Sequence, residues 1–177
     1  MSKNQFSNDG VASCRSLFEC MGSFVDSVLR GISQVMLQNN LLTGILFLVG
    51  IFHNSILFGL AVLVGTIVST GTAKLLKINS AQIREGLFGF NGALVAVALS
   101  YFLEPDALTW LYLVIASAGS TILMAAMLRL FEKLQLPVLT APFVFTSLTF
   151  LLAYARFGRL HSTQILPMAG LPNGGCG

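Results

Sequence analysis

Charge is what this chain of 177 residues has least of. Ten basic and seven acidic side chains make up 10% of it, against about a quarter in an ordinary globular chain, and that scarcity excludes a soluble domain. Cysteine is nearly absent. Cys14, Cys20 and Cys176 fit neither a zinc site nor a thioredoxin-like spacing, so no role is assigned to them. His53 stands at a turn with no second ligand near it, which suits a structural histidine better than a metal ligand. Residues 1–23 lack the apolar core of a signal peptide, and insertion is expected to rely on the first membrane segment. The formal charge of +3 comes from Lys and Arg in loops and at the ends of apolar runs, where snorkelling and anionic headgroups accommodate them. It points to no nucleic-acid partner. Nothing in the chain suggests a cofactor, a coupling ion or a hydrolysable nucleotide.

What the chain has is apolar length. Hydrophobic residues make up 55% of it and the mean hydropathy is +0.81. Several runs approach or exceed the roughly 18–20 residues that a spanning helix requires. The fold class is therefore an all-α, polytopic membrane protein. Residues 1–22 read as a polar tail, flexible or interfacial, residues 23–156 as the membrane domain, and residues 157–177 as a flexible C-terminal tail. From Phe24 to Gln38, apolar residues at 25, 28, 29, 32, 35 and 36 keep helical spacing. Asp26, Arg30, Gln34 and Gln38 mark the other face, which fits a helix on the membrane surface or a polar stripe facing a bundle interior.

Asn39-Asn40 signals a turn. Leu41 to Phe52, a run of twelve with Gly44 and Gly50, is too short to span alone. Ser55 to Ala73 is a span with Gly59, Gly65 and Gly71, closed by Lys74 and Lys77. After the turn Glu104-Pro105-Asp106, Ala107 to Leu128 is another, with Trp110 and Tyr112 as interface anchors. Its middle, Ala116-Ser117-Ala118-Gly119-Ser120, is small enough for close helix contact. In the last run, ending near Tyr154, Pro142 is expected to break or kink the helix and free carbonyls beside the Thr140 hydroxyl.

The stretch from Arg84 to Val95 organises the rest. Gly86, Gly89, Asn91 and Gly92 fall within seven residues, although a glycine inside a helix costs about 0.5–1 kcal/mol relative to alanine. Glycine is useful where backbone must approach backbone or a ligand. Broken backbone at membrane depth is tolerated only where protein or a water-filled cavity covers it. The stretch reads either as a re-entrant or pore-lining helix, capped at Asn79-Ser80 and continuing through Leu99 to Leu103, or as a tightly packed span. The expected count is five membrane segments plus one re-entrant helix.

Three stretches then resemble the urea transporter family, bacterial and animal. They are Leu29-Arg30-Gly31-Ile32-Ser33-Gln34-Val35 with Asn39-Asn40; Gly86 to Val95; and Leu136 to Phe143, which fits the family's LPxxTxPF signature in full. The resemblance implies channel-like passage of urea down its gradient, in trimers with one pore per protomer. It implies a protomer of two homologous halves with inverted topology, of which this chain supplies one. Carried over by motif, Gln34, Phe90, Leu94 and Thr140 would line the path, and Leu37 stands where resembling proteins often place phenylalanine. Phe90 and Leu94 could form an apolar slot for a flat, neutral solute. The Gln34 carbonyl, the Thr140 hydroxyl and freed backbone carbonyls could accept its N–H bonds, since an unpaired polar group there costs several kcal/mol. With no carboxylate among these residues, a hydrated cation would be rejected. Each residue also has a plainer role: Phe90 and Leu94 as core, Thr140 bonded to its own helix, Gln34 as glue between helices.

The expected location is the cell membrane, with urea and the lipid bilayer as partners and a homo-oligomer as the assembly. Given five spans, Lys3, Arg15, Arg129 and Lys133 fall on one side and Lys74, Lys77, Arg84, Arg156 and Arg159 on the other, four against five. Such a balance gives the positive-inside rule no direction, so insertion both ways, with two antiparallel copies completing one pore, is expected. The main alternative is a non-transporting fragment or partner subunit of a full-length transporter. An ammonium or short-amide channel would share the slot chemistry. An intramembrane enzyme built on Ser117, Ser120 and His53 lacks the GxSx loop and later helical histidine of rhomboid-like proteases, so no catalysis is expected.

Overall fold

Three helix starts carry the side chains that their orphan N–H groups need. Asn40 Oδ1 accepts from the Leu42 N–H at 3.0 Å, Ser55 Oγ from Phe58 at 3.5 Å and Asn79 Oδ1 from Ala81 at 3.0 Å. The computed structural model describes residues 5–132 and 136–157. They form helices α1 (Gln5–Gln34), α2 (Leu41–Asn54), α3 (Ile56–Leu75), α4 (Ser80–Arg84), α5 (Gly89–Phe102), α6 (Ala107–Glu132) and α7 (Ala141–Phe157). Helices α3 and α6, of 20 and 26 residues, are long and apolar enough to cross a membrane, and α2, α5 and α7 are shorter apolar helices. Residues 5–22 are helical where the sequence reads a tail. Most of the expected C-terminal tail lies outside the described residues.

The core is built on α3 and α5, which lie backbone to backbone. A Cβ on Gly65 would fall 2.5 Å from the Gly92 carbonyl oxygen and 2.6 Å from the Ala96 Cβ, and a Cβ on Gly92 would meet the Gly65 carbonyl in turn. Glycine at both positions is what lets the two axes approach. Ala61, Val95, Ala96, Leu99, Leu103, Leu113 and Ala116 fill the space beside them. Helix α6 joins this pair through the fully buried Ala116, Ser117 and Ser120, while Gly119 faces open space. Trp110 and Tyr112 pack against the same cluster. Tyr112 turns inward because the Phe150 carbonyl accepts its hydroxyl at 3.3 Å.

Contacts along α3 set the direction of each neighbour. Ser69 meets Phe88, Gly65 meets Gly92, and Leu57 shares a small cavity with Ser100 and Leu103. Helix α5 therefore runs antiparallel along α3 and leaves at its far end. Its glycines serve close approach to α3. The helix is not continuous with α4, contrary to what the sequence suggests. Gly86 takes φ +76, and the helix restarts at Gly89. A side chain at Gly86 would collide with the Gly31 backbone of α1. The helix that stops inside the bundle is α1. Phe24 lies 4.7 Å from Lys74 Nζ near one end of α3, and Ile32 packs with Val62 and Ala93 well along it. After Gln34 the chain folds back, and Arg30 Nη1 donates to Asn39 Oδ1 at 2.8 Å.

Helix α6 runs parallel to α3, and Arg129 shares a cleft of about 660 Å³ with Lys77. Lys74, Lys77, Arg84 and Arg129 thus occupy one end, and Arg156 closes α7 at the other. This corrects the expected sides, which separated Arg129 from Lys77; Lys3, Lys133 and Arg159 lie outside the described residues.

On the positive-inside rule, the Lys77–Arg129 end is expected to face the cytoplasm. With the native cysteines replaced by serine, a cysteine at Asn79 is expected to react with a membrane-impermeant thiol reagent only after the membrane is opened. One at Glu104 should react from outside, and equal labelling of both in intact cells would support dual insertion. Gly92→Val should destabilise the chain by roughly 1–3 kcal/mol through overpacking, read as a lower midpoint of thermal unfolding in detergent. Gly71→Ala, which meets nothing within 4 Å, should leave the midpoint unchanged or raise it.

Candidate functional site

Helix α7 starts where Pro142 stands, and its first turn shows why the proline neither breaks nor kinks a helix there. A proline near a helix start gives up an N–H that has no intrahelical partner. The other N–H groups of that turn are satisfied: Ala141 by the Val138 carbonyl at 3.2 Å, Val144 by the Thr140 carbonyl at 3.1 Å, and Phe143 by Asn91 Oδ1 at 3.2 Å. Asn91 is fully buried on α5, and its amide nitrogen points to Met124 Sδ at 3.6 Å. One side chain of the glycine-rich helix thus caps the start of α7. With the Phe143 N–H directed to Asn91, the Leu139 carbonyl receives no bond among the described residues.

The sequence-expected residues gather around one apolar cluster. Phe90, 8% exposed, packs with Ala73, Ile83, Phe88, Met124 and Val138, and Val35 and Leu94 lie against them. Gln34 and Thr140 are chain neighbours of this cluster, one residue before Val35 and two after Val138. Gln34 Nε2 donates to the Glu85 carbonyl at 2.9 Å, across to the break before α5. A carbonyl acceptor requires the nitrogen there, so Oε1 is left without a partner among the described residues. Thr140 is exposed and its hydroxyl bonds nothing among them; it does not bond back to its own helix. Leu94 is half-buried and also lines an open apolar groove of about 610 Å³ with Ile32, Phe47, Ile51, Val62 and Tyr101. Leu37 stands apart from the cluster, 82% exposed.

Sequence reasoning missed Leu139. Leu37 and Leu139 both take left-handed backbone, φ 56 and 45, and both are exposed apolar residues. For non-glycine residues such backbone costs about 1–3 kcal/mol and recurs at functional sites. They flank the two polar members, three residues after Gln34 and one before Thr140. Composition carries no signal for this, because leucine is ordinary in an apolar chain.

A family profile described as urea transporter matches residues 25–173. The chain is similar to urea transporter 1 of sheep, 38% identical over 154 residues, and to those of goat and rat, 37% and 34% identical. Each match covers 85% of this chain and 40% of the relative. The chain thus spans well under half the length of the curated relatives that it matches.

Asn91→Ala should loosen α7 by about 1–2 kcal/mol, the usual loss for a helix cap. Faster proteolysis within residues 141–157, with Trp110 fluorescence unchanged, would report it; equal resistance of wild type and variant would contradict the capping role.

Proposed function

The chain belongs to the urea transporter family, and on that premise we propose that it forms one wall of a channel-like passage for urea, completed by an oppositely oriented second half. The supporting observation is a set of acceptors without partners among the described residues. Gln34 Oε1, Thr140 Oγ1 and the Leu139 carbonyl lie within two residues, along the chain, of Val35 or Val138, which pack in the group that holds Phe90 and Leu94.

The chemistry suits the solute. Urea is flat and neutral, with N–H donors at two corners and one carbonyl acceptor. An aromatic edge and a leucine accept its faces while the acceptors replace water on its N–H groups, which an apolar slot could not leave bare. A cation gains too little from neutral oxygens on one wall to offset its lost hydration. The left-handed Leu37 and Leu139 present apolar surface beside these oxygens, and the second half would cover it. In this reading the protein resides in the cell membrane and assembles with its complement into passages, one per pair of halves.

A second reading is a partner subunit that packs against a complete transporter without passing solute itself. Urea efflux from liposomes holding the purified chain separates the two. Fast efflux, lowered about threefold to tenfold by Thr140→Val as expected for one lost hydrogen bond, supports the passage. A folded, inserted chain that passes no urea refutes transport by the chain alone and leaves the partner reading. Competition by ammonium or short amides sets the solute range.

A further inference from the structure

A buried chain of hydroxyls ends at the break before α5. Ser69 of α3 and Thr121 of α6 are both fully buried. Ser69 Oγ donates to the Phe88 carbonyl at 2.7 Å. Its single proton is committed there, so the Thr121 hydroxyl, 2.5 Å from Ser69 Oγ, must be the donor of the second bond. The other acceptors near Thr121, the carbonyls of Ser69 and Ser117, are farther off at 3.3 and 3.2 Å. The order is Thr121 to Ser69 to the Phe88 carbonyl, crossing three elements, and each hydroxyl polarises the next.

The place where this chain ends matters. Phe88 is the N-cap residue of α5 and makes no side-chain cap bond. It follows Gly86, whose left-handed backbone interrupts the helix. The carbonyl at this helix start is held from outside its own helix, beside the close approach of Gly92 to Gly65. Here that hold comes from Ser69. Phe90 and Leu94 follow two and six residues later on the same rigid helix, so a displacement of Phe88 is carried to both.

We infer that Ser69 and Thr121 are positioning residues. They hold the Phe88 carbonyl and so set the rotation and depth at which Phe90 and Leu94 face a permeating solute. Their effect on solute choice rests on the proposed urea passage; their hold on Phe90 does not. A merely structural pair of buried hydroxyls would lower stability when removed and leave Phe90 where it is.

The test uses the full chain in lipid nanodiscs with 4-fluorophenylalanine at position 90. Ser69→Ala should shift or split the fluorine resonance. Thr121→Val, which keeps the volume, should move it the same way, and it carries the test where Ser69→Ala fails to fold. Thr121→Ser, which keeps the hydroxyl, should restore the wild-type line. Thr72→Val is the control, because that hydroxyl bonds only the Val68 carbonyl of its own helix. In liposomes, Ser69→Ala should lower urea efflux per inserted chain about fivefold and change the ratio of urea to N-methylurea rates about twofold or more, as loss of a buried hydrogen bond would. An unmoved resonance in a folded Ser69→Ala or Thr121→Val chain overturns the inference. A moved resonance in a chain whose wild type passes no urea upholds the positioning role and defeats the transport reading alone.

Discussion

The approach of α3 to α5 is the constraint on which the rest of the described structure depends. With Gly65 against the Gly92 carbonyl, the two backbones leave no room for side chains between them. Apolar burial alone drives little association in a lipid-like solvent, so close packing and internal hydrogen bonds must supply the cohesion. The residues on either side are accordingly small or hydroxylated: Ala61, Thr66, Ser69 and Thr70 on α3, and Ala93 and Ala96 on α5, all buried. Hydroxyls at this depth are tolerable because most find carbonyls at hand. Thr66 bonds Val62 at 2.6 Å and Ser120 bonds Ser117 at 2.8 Å.

The same approach positions the site. Once α5 is fixed along α3, Asn91 faces the start of α7 and caps it. Gly89 faces Gly31 of α1, where a Cβ on Gly31 would lie 3.0 Å from the Gly89 Cα. Gln34 ends α1, Thr140 immediately precedes α7, and α5 carries Phe90 and Leu94. Three separate stretches of sequence therefore meet because one glycine-rich helix touches both of the others. Asn91 directly follows Phe90, and Phe143, whose N–H donates to it, stands three residues after Thr140, which couples the order of the site to the integrity of the packing.

Much of this was legible in the residues. Asn40, Ser55 and Asn79 stand at the helix starts where short polar side chains belong, and of the five motif residues Phe90 and Leu94 pack in one cluster, with Gln34 and Thr140 near its members Val35 and Val138 along the chain. What failed, failed for a shared reason. Glycine inside an apolar run signals close approach, but not to what, so the stretch 84–95 reads equally as a re-entrant or pore-lining helix and as a tightly packed span. The side count made with five spans separates Arg129 from Lys77, with which it shares a cleft. Pro142 misled in a similar way. Without a known helix start, a proline in an apolar run reads as a break, whereas beside the Asn91 cap it belongs to the first turn.

Two exposed leucines in left-handed backbone beside two polar groups are an unfavourable combination for an isolated fold. Leu37 and Leu139 each carry conformational strain without burying their side chains. Folded structure sustains such strain only where the surroundings over-determine it. Among the described residues, Thr140 and the Leu139 carbonyl lack partners in the same place. A lipid tail would cover the leucines and leave the oxygens unpaired, whereas water would satisfy the oxygens and not the leucines. A protein wall of similar composition, facing this one across a gap one planar molecule wide, meets both demands. On the proposed reading, that gap is the passage.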